Sequence, residues 1–198
     1  MLRLVTLIAM LAWMVALSRC AFGEELPGVL ETRLTTTYHS VLSKTVTTEK
    51  EAQELVRNEI LPLVDTKASA RFILGKYWRR ADTPQRERFT RALTEILIKT
   101  YSAFLLDERT KTAKFEIVRS IPNKTGKMYN IRTKFTVTNP LPVDFVFRLN
   151  KAGEWKVVDV KIEGISMVQG FRTSYQSAIQ RSNLESVIVS LEKKAGLR

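Results

Sequence analysis

Apolar spacing changes period once in the middle of this chain and changes back near its end. Up to about residue 106 the apolar side chains recur at three- and four-residue steps, the repeat that gathers them on one face of a helix. From Ala113 they fall on alternate residues, the repeat of a strand with one buried and one wet face. From about Phe171 the helical repeat returns. A chain written as helices, a strand meander and helices again folds as α+β, with helices laid on one face of an antiparallel sheet. The expected architecture is helices wrapped around a curved four-stranded antiparallel sheet.

The longest helical stretch runs to Leu106, with Thr83 as its expected cap and Pro84 in its first turn, where a missing amide costs nothing. Phe89, Leu93, Ile96, Leu97, Tyr101, Phe104 and Leu105 share one side, and Arg86, Arg88, Arg91, Glu95 and Lys99 the other. Three helices precede it. The first opens at Pro27 and carries Leu30 and Leu34. The second starts at a capping box, Thr48 with Glu51, and ends at Pro62. The third covers about residues 66–74 and stops at Gly75. Strands are expected at 114–118, 128–138, 143–150 and 155–162, with a break at Asn139-Pro140-Leu141-Pro142 and a hairpin turn at Asn150-Lys151-Ala152-Gly153. Ser182-Asn183-Leu184-Glu185 caps a last helix carrying Val187, Ile188 and Leu191.

The first residues read as an export signal. Arg3 precedes an uncharged apolar run, 4–17, and Ala21-Phe22-Gly23 forms a small-x-small cleavage site. The run is shorter than the ~20 residues of a membrane span. Cys20 offers a rival reading as a lipidation site, but Arg19 stands where a small residue belongs. The expected organisation is a cleaved signal peptide, 1–23, and one domain, 24–198. Cleavage removes the one cysteine, so a mature exported chain must be held by its core without disulfides. The formal charge of +12 suggests an acidic partner. Export and the even spread of basic residues argue against nucleic acid and leave phospholipid headgroups. A merely solvated basic surface is the competing reading.

Catalytic sets are hard to assemble from this sequence. Gly164-Ile165-Ser166-Met167-Val168 matches a nucleophile elbow until Val168, where a glycine is needed. The lone histidine, His39, lacks companions that would make it a metal ligand or a triad base. The best candidate is Asp159, which could act as a base if an apolar slot raised its pKa.

The segments Leu74-Gly75-Lys76-Tyr77-Trp78-Arg79, Gln85-Arg86, Thr100-Tyr101, Trp155-Lys156-Val157-Val158-Asp159-Val160, Ile162-Glu163-Gly164-Ile165-Ser166 and Gly170-Phe171-Arg172, in this order and spacing, resemble the MlaC family of periplasmic phospholipid-binding proteins, also called toluene-tolerance proteins. Where the family usually has Asn-Tyr before the arginine, this chain has Gly170-Phe171. The resemblance implies an NTF2-like fold without catalytic residues or cofactor other than the phospholipid ligand. It implies a monomeric carrier between outer and inner membranes that maintains outer-membrane asymmetry. Its partners would be an outer-membrane lipoprotein held to a porin, and an inner-membrane ABC transporter with an MCE-domain subunit.

A slot for acyl chains would draw on Leu97, Tyr101 and Phe104 of the long helix, Phe145 and Phe147 of the sheet, and Val160, Ile165, Met167 and Phe171 near the last turn. Arg79, Arg80 and Arg172 could edge its mouth. The same apolar residues could equally form closed core. Three readings therefore stand: a lipid carrier, an enzyme of the ketosteroid-isomerase type with Asp159 as base, and a structural adaptor with no ligand.

Overall fold

The computed structural model describes residues 25–108 and 112–198. The expected signal peptide, its cleavage site and Cys20 lie outside the described residues. Helix α1 is Glu25–Leu42 and α2 is Glu49–Leu55. A π-turn, Val56–Ile60, and a 3-10 turn, Leu61–Leu63, lead to α3, Thr66–Leu74. The short α4, Lys76–Arg80, precedes the long α5, Thr83–Leu106. Strands β1 Lys114–Pro122, β2 Met128–Thr136, β3 Pro140–Leu149, β4 Trp155–Ile162 and β5 Ile165–Ser166 form one antiparallel sheet in chain order. Helices α6, Met167–Arg181, and α7, Leu184–Ala195, follow. Among the described residues no helix is long and apolar enough to cross a membrane.

The α+β class stands, with adjustments that have local causes. A fifth strand of two residues joins the edge, because the turn after β4 is tight enough to pair Ile162 with Ile165. Strand β3 runs through Pro140 and Pro142, which pair with Thr136 and Lys134 of β2. Its pairing with β4 begins only at Val143, so no β4 ladder bond is asked of the missing proline amides. Asp82, not Thr83, caps α5: its Oδ1 accepts from the Gln85 amide at 2.7 Å, and Gln85 Oε1 accepts from the Asp82 amide at 3.3 Å. The box at Thr48 and Glu51 forms as expected.

Helices reach both faces of the sheet rather than one. On the first face Tyr129, Ile131, Phe147 and Val157 pack with Leu30 and Leu34 of α1. On the second, Val146 and Val158 pack with Ala68 of α3. Apart from both stands a helical core in which Ile73 and Leu74 meet Phe89 and Leu93, Ile179, and Ile188 and Leu191. Arg88 ties α5 to α7 there, donating to both oxygens of Glu192 at 2.8 Å and to Glu185 at 2.6 Å.

An apolar crevice at the edge of strand β4

Before Lys161 the outer edge of strand β4 has little sheet neighbour, and the helical core comes down beside it. The seam is a narrow crevice of about 60 Å³. Val157, Val158, Asp159 and Val160 of β4 form one wall. Leu93, Leu97 and Tyr101 of α5 face them, with Ser69 and Ile73 of α3 and Met167, Val168 and Phe171 of α6. Val56 and Ile60 of the π-turn, Leu61 and Val64 close one end. A π-turn sets its side chains slightly off the α-helical stripe and recurs at functional sites. Its lining draws on the helical core through Ile73 and Leu93 and on the sheet through Val157 and Val158.

Asp159 and Tyr101 bring polarity to this wall. The Asp159 carboxylate accepts from the Ser166 hydroxyl at 2.6 Å and from the Val168 amide at 3.0 Å. Ser166 Oγ in turn accepts from the Gln169 amide at 3.0 Å, capping α6. Both oxygens of Asp159 are therefore engaged in fixing the first turn of α6. That is the work of a helix anchor, and it removes the motive for treating Asp159 as a free base. The Tyr101 hydroxyl has its pKa raised, first by burial and then by the negative charge of Asp159.

The structure brings Leu97, Tyr101, Val160, Met167 and Phe171 together in this lining. Four other expected lining residues lie elsewhere. Phe104, one turn beyond Tyr101, is 54% exposed, and Ile165 on the outer edge strand is 69% exposed. Phe147 is fully buried in the packing between the sheet and α1, with Phe145 against the same cluster. Both lie on β3, one strand in from the edge, while their β4 partners Val160 and Val157 border the crevice. Arg79 and Arg80 are exposed on α4 and border no described cavity, whereas Arg172 lines a second pocket. His39 is exposed in the last turn of α1, edge-on to Tyr38. Sequence reasoning missed the π-turn residues, and the one signal for them was the apolar run ending at Pro62.

The second pocket, about 280 Å³, adjoins the crevice across Val158, Asp159 and Val168. It opens between Phe72 of α3, Met128, Val146 and Lys161 of the sheet, and Gln169 and Arg172 of α6.

The model of the MlaC protein family matches residues 32–193, and the chain belongs to that family. It is 26% identical over 145 residues to the intermembrane phospholipid transport system binding protein MlaC of Haemophilus influenzae, covering 71% of this chain and 67% of that protein. It is 30% identical over 129 residues to toluene tolerance protein ttg2D of Pseudomonas putida, covering 63% of this chain and 58% of the relative. Among solved structures, the phospholipid-binding protein of Ralstonia solanacearum, in complex with a phospholipid, superposes with a TM-score of 0.75. The match covers 86% of this chain and 97% of that one at 16% identity, which is a likeness of fold. Two of these names describe phospholipid binding or transport and the third toluene tolerance, and none of the three names an enzyme.

Proposed function

We propose that this protein is a periplasmic phospholipid carrier that shuttles lipid between the outer and inner membranes and so maintains outer-membrane asymmetry. The observation that carries the reading is the crevice: its walls are almost wholly aliphatic and aromatic, and it lies where two separately packed units meet. Membership of the MlaC family and the phospholipid named with its relatives support it. Each buried methylene is worth ~0.8 kcal/mol, so a pair of fatty chains gains on the order of 20 kcal/mol on leaving water. A carrier needs an apolar site of comparable strength, and one no stronger than the site that receives the cargo.

At about 60 Å³ the crevice is far below the ~300–1,000 Å³ of ordinary ligand pockets. Taking up a tail therefore requires the α5 and α6 side chains to part from β4. A seam between two units can open in this way without disturbing either core. Acyl chains would lie against Leu97, Tyr101, Val160, Met167 and Phe171, with the headgroup towards Arg172. Residues 1–23 would be the cleaved export signal and 24–198 the single lipid-binding domain. The donors and acceptors would be an outer-membrane lipoprotein with its porin and an inner-membrane ABC transporter with an MCE-domain subunit. With Asp159 engaged as a helix anchor, nothing favours the isomerase alternative.

Organic extraction of freshly purified protein followed by mass spectrometry tests the reading. Wild type should release intact phospholipid near one molecule per chain. Met167, 38% exposed at the crevice, can be replaced without opening a core, and Met167→Glu should cut that lipid about tenfold or more in a folded protein. Wild type without lipid, or a variant with unchanged lipid, would refute the carrier.

A further inference from the structure

The second pocket gathers more basic than acidic side chains. Three cations stand around it: Lys161 and Arg172 in its lining, and Arg148, whose guanidinium lies 5.2 Å from the centre of the Phe72 ring that forms part of its wall. The neighbouring acids have hydrogen-bond partners of their own, with Lys161 within electrostatic reach of Asp144. Asp65 caps α3 through the Ala68 amide at 2.8 Å and meets Arg148 at 3.4 Å. Asp144, the strand partner of Lys161, accepts from Arg132 and from Asn130. Asp159, itself part of this lining, holds the start of α6 through two neutral donors, so one carboxylate stands beside the cations. No hydrogen bond or ion pair among the described residues takes up the Lys161 ammonium or the Arg172 guanidinium, the latter lying against the bare backbone of Gly75.

We propose that this pocket is a phosphate site, in which Lys161 and Arg172 bind a phosphate-bearing group. Lys161 and Arg172 outnumber Asp159, the one carboxylate in this lining, and an oxyanion placed between the two cations adds charge-assisted hydrogen bonds. A volume of about 280 Å³ suits a glycerophosphate-sized group better than a fatty chain. The wall shared with the crevice, at Val158, Asp159 and Val168, lets one molecule put its tails on one side and its phosphate on the other. That coupling rests on the carrier reading; the phosphate chemistry does not.

The test uses Lys161→Gln, with Lys161→Arg as the conservative control, and two probes with the same pyrene-labelled tails: a phosphatidylglycerol and the diacylglycerol that lacks the phosphate. Lipid-stripped wild type should prefer the phosphatidylglycerol about tenfold or more. In Lys161→Gln that ratio should fall towards one with diacylglycerol binding unchanged, and Lys161→Arg should restore most of it. Inorganic phosphate, followed by phosphorus NMR line broadening, asks whether free phosphate suffices; broadening lost in Lys161→Gln upholds the site as one for free phosphate. Should wild type take up neither lipid probe, the carrier reading fails and the phosphate arm alone decides: broadening that depends on Lys161 upholds the pocket, and its absence overturns it. A Lys161→Gln protein that matches wild type in both arms overturns the pocket and leaves the carrier intact.

Discussion

The helical core and the sheet are built to different standards of closure. In the helical core, side chains from α3, α5, α6 and α7 bury one another on all sides, and the Arg88 clamp with Glu185 and Glu192 ties α5 to α7. The sheet is covered by α1 on one face and thinly by α3 on the other, and its β4 edge is extended by two residues of β5. The difference locates the crevice. A region that closes upon itself cannot widen cheaply, whereas an edge strand leaning on a foreign helix can, so the site falls at the border and in neither centre.

The largest effect should come from breaking the closed side. Phe89 is fully buried among α3, α6 and α7, and Phe89→Ala should lower stability by ~3–5 kcal/mol in denaturant unfolding. A loss under about 1 kcal/mol would mean that the helical core is loose, and the contrast with the seam would vanish.

The clamp comes next. Glu192 is buried, and Glu192→Gln replaces a doubly hydrogen-bonded carboxylate by a neutral amide, for a loss of about 1–3 kcal/mol at neutral pH. The hydrogen bonds from Arg88 hold the Glu192 carboxyl, and that of Glu185, below the usual carboxylate range. A pKa lowered on folding adds stability above the unfolded value, near ~4.3, and that stability disappears as pH falls through the folded value. Wild type should therefore lose stability below about pH 4–5, and Glu192→Gln should lose less over the same interval. Parallel curves would show that the clamp contributes nothing to folding.

Gly75 joins the two sides, since α6 rests on the turn it makes between α3 and α4. Its φ is +54°, and an added Cβ would lie 2.7 Å from Gln176 Nε2 and 3.1 Å from Arg172 Nη2. Gly75→Ala should cost ~1–2 kcal/mol. It should also disturb the contact of Gln176 with the Ile73 and Leu74 carbonyls, which chemical shifts along α6 would register. An unchanged midpoint would show that this turn does not position α6.

These regions were unequally legible in the sequence. The α+β order, the Thr48 capping box, the stop at Gly75 and the span of β4 follow from local rules of period and turn, and the structure keeps them. Locating the crevice required knowing which face of each strand meets which helix, and period two gives the alternation without giving the partner. Phe145 and Val160 are strand partners that reach the same cluster under α1, yet only Val160, on the outer strand, also borders the crevice. Phe104 lies on the same helical stripe as Tyr101 but past the end of the facing strand's wall. Lys161 was unreadable for a third reason: an isolated lysine on a wet strand face gains meaning only when Asp144 across from it is found engaged by Arg132 and Asn130.

The smallest expected effect separates seam from core most sharply. Leu97 lies two turns of α5 beyond Phe89 and one beyond Leu93, on the same apolar stripe, yet it is half-buried and faces β4 across the crevice. In a closed core Leu→Ala costs ~2–5 kcal/mol, because the cavity cannot collapse. At a seam the removed methyl groups already border free space and the walls can settle inwards, so Leu97→Ala should cost only about 1 kcal/mol or less. Set beside Phe89→Ala in the same denaturant series, the ratio of the two losses measures how far the helices and the strand edge are packed as one body. Equal losses would make the crevice ordinary core and favour a rigid adaptor, whereas a several-fold gap is the signature of a wall that can be moved by what enters between.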